Sequence, residues 1–410
     1  AAALEKQWER ALQATSYGYT DIVKGDGSNF LIPGYYKQSS SNHNGAATKF
    51  SSSGSVIWSL IHADNLSAQK DAFRCGTLGH DGNYVLAGFR ETAATNKSDI
   101  RIVKLNASTG DKIWDKIYDY GVGNDGALDI KEVASGGYIV IGYATTKLSS
   151  PGVPEEISIW LIKIDENGDE EWSETYNNPD AYTIRGRCVT PTDDGGYFLV
   201  ANKYEDISSD PMIVIKTDVN GVEQWRHTVS NSYATGGIWV HQNAQGNYTI
   251  AGRYNIRFAL ITIDAITHTH SAAIFGPWHS NDIVYDADLM PDGGYIIVGK
   301  EYIDTYSYTY LYYVCTDSQG NVAWEVSARG VGAGSEYGRS VATLRDGSTV
   351  ILYYDSGNAL PDEKGWHLLK IGANFHPTGD FTFTPVSPYN GQPVTFAADL
   401  DDADGTITQM

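Results

Sequence analysis

The sequence predicts an all-β protein, a seven-bladed β-propeller, and three observations carry that prediction. One phrase recurs along the chain, as "SGGYIVIGYA" from 135, "DDGGYFLVANKY" from 193 and "PDGGYIIVGKEY" from 291. A second signal recurs between these phrases: an apolar run, a hairpin turn such as "DENG", "DVNG" or "DSQG", and a run carrying tryptophan. The composition agrees, with 28 Tyr, 10 Trp and 43 Gly against 3 Met, as many short strands joined by tight turns require.

Taken in order, each unit begins with an apolar run that ends in a turn, whose glycine serves as a ruler. Gly27, Gly82, Gly136, Gly195, Gly246, Gly293 and Gly347 mark seven units spaced 47 to 59 residues apart. The strand after the turn is tyrosine-rich and β-branched, as in "NYVLAGF" and "NYTIAGRY". The third strand is apolar ("IRIVKL", "IWLIKI", "MIVIKT", "LYYVCT"). It leads into a turn where Asp bonds the backbone ahead of it and Gly takes positive φ. The fourth strand carries tryptophan ("VIWSL", "KIWDKIY", "EEWSETY", "EQWRHTV", "VAWEVS"). Four short strands per roughly 50 residues cannot bury both faces alone, and stacking such sheets around an axis can.

The seventh unit supplies "GWHLLKIG" with no tryptophan strand after it, and the N-terminus supplies "EKQWERAL" with no unit before it. The two orphans complete each other if Trp8 lies on the outer strand of blade seven, which closes the ring and removes an open edge. The fifth unit reads "THTHSAAIF" where tryptophan should fall, so its outer strand must pack differently.

The repeat "DGGYIIVG…WLIKIDENGDEEW" resembles the DGGY/WLIKTD-type repeats of secreted and cell-surface propellers in archaea and bacteria, over about residues 4 to 375. That resemblance implies the fold and leaves the activity open, because one fold hosts many functions. The ring is assigned to residues 1–376. Residues 377–410, with "GDFTFTPVSPYNGQPVTFAADLDDADGTITQ", resemble the opening third of a polycystic-kidney-disease-type (PKD) module. The resemblance implies an extracellular, modular protein, secreted or held at the cell surface, with self-association through surface modules as one possible use. The opening "AAALEKQW" fits a processed secreted chain.

Charge and patterning exclude other classes. A net charge of −21, from 29 Lys+Arg and 50 Asp+Glu, repels phosphate backbones, so no nucleic-acid partner is expected. No apolar run approaches the ~20 residues that span a bilayer, so membrane insertion is not expected. Cys75, Cys188 and Cys315 form no CxxC pair and read as small buried residues.

Eight residues before each ruler glycine, the innermost strand carries Arg74, Leu128, Arg187, Ile238, Tyr285 and Arg339, and Tyr19 in the first unit if its turn has equal length. Further basic residues follow the second strand: Arg90, Lys203, Arg253 and Lys300. Gathered at one mouth of the ring, Arg74, Arg187, Arg339, Arg90, Arg253 and Lys300 would form a basic funnel, with guanidinium forks suited to carboxylate or sulfate. Trp239 would stack on sugar rings, beside Tyr285 and Tyr337, with His241 and His279 in or near the rim. Against this stands the plainer reading in which Asp21, Asp129 and Asp286 pair with the arginines and hold blades together. The recurring third-strand lysines (Lys49, Lys104, Lys163, Lys216, Lys370) and the tryptophans read as structural.

No serine elbow, P-loop or dinucleotide fingerprint occurs. No cofactor is expected beyond a structural calcium. "DENGDEE" offers Asp165, Asn167 and Asp169 at alternating positions, but it lacks the sixth-place glycine of a calcium loop and reads better as a turn. His268 and His270 of "HTH" share a strand face with no third ligand in view.

Three functions are carried forward. The first is an extracellular module recognising an acidic polysaccharide, uronic-acid or sulfated, or another cell-surface ligand. The second is a polysaccharide lyase, in which Arg187 or Arg339 neutralises the uronate while His279, His241, Tyr285 or Tyr337 moves the C5 proton. The third is a surface scaffold or filament subunit.

Overall fold

The computed structural model describes residues 6–12, 17–39, 42–62, 70–92, 97–151, 155–177, 183–202, 211–229, 235–276, 282–303, 308–328, 335–356, 365–372, 381–384 and 395–398. Seven antiparallel sheets, each with a path of four strands, follow one another along the chain, with no helix among the described residues. Blade two is typical: Asp71–Leu78 innermost, then Tyr84–Thr92, Lys97–Leu105 and Lys112–Tyr118 outermost. Blade seven is assembled from both ends of the ring. Its strands Glu336–Thr343, Thr349–Asp355 and Gly365–Ile371 are completed by Lys6–Leu12, with Trp8 opposite Lys370. The N-terminal strand therefore closes the ring, as the orphan pieces predict.

The core lies in the seams between blades. Seven clusters of buried side chains each draw on two successive blades; the closing one sets Phe30, Ile32 and Phe50 of blade one against Val350, Leu352 and Leu368 of blade seven. Each such Ile, Leu or Phe contributes about 1.5–3 kcal/mol on leaving water. Half of that comes from a neighbour's face, which is why the unit must repeat.

Two sequence features set the backbone that the site uses. In blades two to seven the innermost strand bulges by one residue: the register shifts between Phe73 and Cys75, Ala127 and Asp129, Gly186 and Cys188, Gly237 and Trp239, Val284 and Asp286, and Gly338 and Ser340. The ladder pair just before this point always contains a glycine, from Tyr19 with Gly34 and Phe73 with Gly88 to Gly338 with Tyr353. At Gly34, Gly88, Gly142, Gly252 and Gly299 a Cβ would stand 1.9 to 2.1 Å from an innermost-strand carbonyl oxygen. The glycine that ends each "GYIVIG" phrase is thus the space the inner strand needs to bend.

The rim is held by a repeated clamp. Trp58 and Lys49 face each other across blade one, and both donate to the Ala107 carbonyl in the outer turn of blade two, at 3.1 and 2.8 Å. Trp114 and Lys104 do the same to Glu166, and Trp8 and Lys370 to Ser52 across the closing seam. The lysines are buried and each also meets a carboxylate of its own blade, Asp26, Asp81, Asp194 and Asp346 in turns and Glu171 on the outermost strand. Blade five breaks the pattern, with Thr262 and Ser271 at the lysine and tryptophan positions. Its outer turn puts His268, at φ 57°, where blades two to four have a positive-φ glycine, and Trp225 of blade four stacks on that imidazole at 4.0 Å.

Beyond residue 376, Phe381–Thr384 and Thr395–Ala398 pair antiparallel. Cys75, Cys188 and Cys315 are free and buried. No helix among the described residues is long and apolar enough to cross a membrane.

Candidate ligand-binding channel

The residues left outside the ladder by the six bulges are Arg74, Leu128, Arg187, Ile238, Tyr285 and Arg339, the column predicted from the ruler glycine, and all six line one central cavity of about 640 Å³. In blade one the channel residue is Thr20, not Tyr19. Tyr19 pairs with Gly34 as Phe73 pairs with Gly88, and it is buried in the closing seam. The ruler misses by one because Gly25 of blade one matches Gly79 of blade two, each amide bonding an Asn carbonyl four residues on, so Gly27 stands one place earlier in its turn than Gly82.

Arg253 and Trp239 also line the cavity, with Tyr35, His43, Phe89, Lys131 and Asn202. The arginines are held by rings: the Arg74 guanidinium lies 4.8 Å from the Phe89 centroid and that of Arg339 5.6 Å from Tyr285. Such contacts fix a guanidinium while leaving its N–H edge for an anion. Lys300 pairs with Ile283 as Arg253 pairs with Gly236, on neighbouring blades. Burial and then the Arg253 charge lower the Lys300 pKa.

Asp129 and Asp286, on innermost strands, each reach across to the next blade. Asp129 binds Lys131 at 2.6 Å and accepts the Val189 amide of the next blade. Asp286 accepts from the Ser340 hydroxyl at 2.6 Å and from the Val341 amide, while Ser340 also stands 3.1 Å from Asp21. One hydroxyl proton cannot serve two carboxylates. Burial, reinforced by Asp21, raises Asp286 to about 7; burial likewise raises Asp21, with Asp129 adding and Lys131 opposing.

Tyr337, His241 and Arg90 are not among the residues that line the cavity. Tyr337 stands behind Tyr285, ring centroids 5.6 Å apart, and continues into Tyr354 and Trp366. Burial raises both phenols, Tyr337 to about 12, and Arg339 only partly offsets this at Tyr285. His241 lies three residues past the bulge; burial lowers its pKa against the pull of Asp288. Arg90 sits in the ladder between Asp71 and Asp99. His279 and Lys203 lie outside the described residues.

Lys131, Asn202 and His43 are among the lining residues that sequence reasoning missed. Lys131 is two positions past Asp129, where strand alternation alone returns to the same face. Asn202 bridges to blade five through both Gly237 backbone groups. His43 stacks on Tyr35 at 4.8 Å, and its Nε2 is buried with no hydrogen-bond partner among the described residues; burial, then Lys37 and Lys70, lower its pKa.

For metal ligands, Asp165 caps its turn by accepting the Asn167 and Asp169 amides, and Asp169 pairs with Lys116. Asp99, Asp119 and Asp125 bring carboxylate oxygens within 4.8 Å of one another, and Asp125 accepts the Tyr120 and Thr145 amides.

No family model and no curated protein matches the sequence. Among solved structures the chain is similar to a protein from Lactobacillus plantarum (TM-score 0.51, 11% identity, covering 84% of this chain and 96% of that one). It is also similar to a fungal alcohol oxidase of the AA5 family in complex with copper (0.50, 12%, 87% and 76%). A third is the β-propeller domain of the Trilobed protease from Pyrococcus furiosus (0.49, 11%, 88% and 94%). At these identities the likeness is one of fold, and the chain is a seven-bladed β-propeller.

Proposed function

We propose that this propeller is an extracellular recognition module whose central channel takes the carboxylate or sulfate of an acidic polysaccharide or cell-surface glycan. One observation carries the reading. A chain of net charge −21 lines its cavity with five cationic side chains, Arg74, Lys131, Arg187, Arg253 and Arg339, against three carboxylates, two of them pushed toward the neutral form. Arg74 and Arg339 meet rings and no carboxylate among the described residues, and low-dielectric walls concentrate the resulting field. Trp239, Tyr285 and Phe89 supply faces for sugar rings, and the volume lies in the ~300–1,000 Å³ range of small-ligand sites.

The test is retention on a panel of uronic-acid, sulfated and neutral polysaccharides. Retention on the acidic members, weakened by salt and lost in Arg187→Ala and Arg339→Ala, is the expected result; equal retention on neutral glucans would overturn it. The lyase alternative rests on His43, whose unpartnered Nε2 at the cavity wall could take a proton, since both tyrosines are held protonated. Ultraviolet absorbance of an unsaturated uronate, abolished by His43→Ala, would identify it.

A further inference from the structure

We propose that the outer strands of blades four and five hold a divalent transition-metal ion of the zinc or nickel type between His227 and His270. His227 lies on Glu223–Val229 and His270 on His270–Phe275, and His227 Nε2 stands 3.1 Å from His270 Nδ1. Two imidazole nitrogens bound to one such ion at ~2.0–2.1 Å, at angles between square and tetrahedral, are about 2.9 to 3.4 Å apart. The observed separation falls inside that interval.

The second ring nitrogen is also placed for this role. Tyr254 Oη lies 3.5 Å from His270 Nε2, with ring centroids 5.9 Å apart. A hydroxyl there accepts the Nε2–H and leaves Nδ1 as the lone-pair nitrogen, as ligating histidines require of their surroundings. His268, the neighbour that the sequence pairs with His270, is occupied otherwise, stacked on Trp225.

The position in the ring says what the ion would do. Two residues past the rim tryptophan, blade two reaches across its seam with Lys116 to Asp169 of blade three, a 2.8 Å ion pair. At the matching place, two past Trp225, blade four presents His227, and blade five answers with an imidazole instead of a carboxylate. Two neutral imidazoles give that seam only one weak hydrogen bond. An ion on both nitrogens staples the outer strands of blades four and five, with its remaining positions open to water or an external ligand. Imidazole pairs favour zinc and nickel over calcium or magnesium.

The experiment is titration of the whole chain with Zn²⁺ and with Ni²⁺, following stoichiometry by calorimetry and melting temperature in parallel. One ion per chain and a raised melting temperature are expected, with affinity reduced at least tenfold in both His227→Gln and His270→Gln and unchanged in His80→Gln, an exposed histidine on another blade. Tyr254→Phe should weaken binding by about tenfold or less. Should either glutamine variant misfold, Ni²⁺ broadening of the His227 and His270 ring signals in the unmodified protein decides the question. Binding that survives both substitutions, the absence of any one-to-one binding, or broadening confined to other histidines would overturn the proposal.

Discussion

The rim and the channel of this ring follow opposite rules. Along the rim the side chains repeat: tryptophan recurs at Trp8, Trp58, Trp114, Trp172, Trp225 and Trp324, and buried lysine at five of the cross-strand positions, because every seam makes the same demand. Along the channel the backbone repeats and the side chains do not. The column reads Thr20, Arg74, Leu128, Arg187, Ile238, Tyr285 and Arg339, the last six each left out of the ladder by the same bulge. A residue present in every blade answers a need of the blade. A residue that changes where the backbone is constant is released from that need, and four cationic or aromatic choices in one column are what a ligand would select.

The sharpest way to break this contrast is to exchange the expected phenotypes. Trp8→Ala removes a half-buried indole and its bond to Ser52 across the closing seam. It should cost about 3 kcal/mol, the low end for a truncated tryptophan, in denaturant unfolding, with glycan retention unchanged once folded. Arg187→Gln and Arg339→Gln should do the reverse. Each removes charge-assisted hydrogen bonds worth ~1.5–3 kcal/mol, so affinity should fall about tenfold to a hundredfold at constant melting temperature. An arginine variant that unfolds as readily as the tryptophan variant would return the channel column to a structural role.

How much of this the sequence could show depends on the range of the interaction. The blade count and the closure by Trp8 follow from periodicity, which survives variable loops because each unit carries its own turn. The channel column was legible for the same reason: bulge and turn sit on one short strand at a fixed offset. It failed at Tyr19, where the ruler glycine occupies a different place in its turn. The plainer reading paired Asp21, Asp129 and Asp286 with the arginines; Asp129 and Asp286 also bind Lys131, Ser340 and neighbouring amides, an inter-blade register no single strand encodes. His227 and His270 are 43 residues apart and meet only because two outer strands align.

A smaller effect would sharpen the rule for the rim. Blade five lacks both clamp residues, and a Cβ on Gly320 in the next turn would meet only Ala273 and Leu260 among the described residues, at 3.7 and 3.8 Å. If the clamp answers a demand made by every seam, Thr262→Lys with Ser271→Trp should supply it where it is missing. The expected gain is about 1 kcal/mol, measured by chemical denaturation, in the range of single stabilising changes. A neutral or negative result would mean that this seam is built around Trp225 and His268 in a way that excludes the pattern.

The smallest expected effect separates rim from channel by pH. At the rim, hydrogen bonds led by their lysines overcome burial and hold Asp26 and Asp81 below the ordinary carboxylate range and Asp194 at about 2, and those from Ser348 and then Lys370 do the same for Asp346. A lowered carboxyl stabilises the fold above its unfolded value near ~3.9 and loses that contribution as pH falls toward 2. In the channel the sign reverses. Asp286, raised to about 7 by burial and Asp21, binds more protons folded than unfolded between ~4 and 7, so stability declines as pH rises through that window. Hydrogen bonds from Ser340 and the Val341 amide favour the charged form and offset part of the burial, so the slope should be well under the ~1.4 kcal/mol per pH unit carried by one whole proton. Melting temperature should therefore peak between pH 4 and 5, and Asp286→Asn should flatten only the limb from 4 to 7. A variant that declines as steeply as the parent on that limb would show that the Ser340 hydroxyl is shared by two ionised carboxylates, and that the channel's positive balance is smaller than its lining implies.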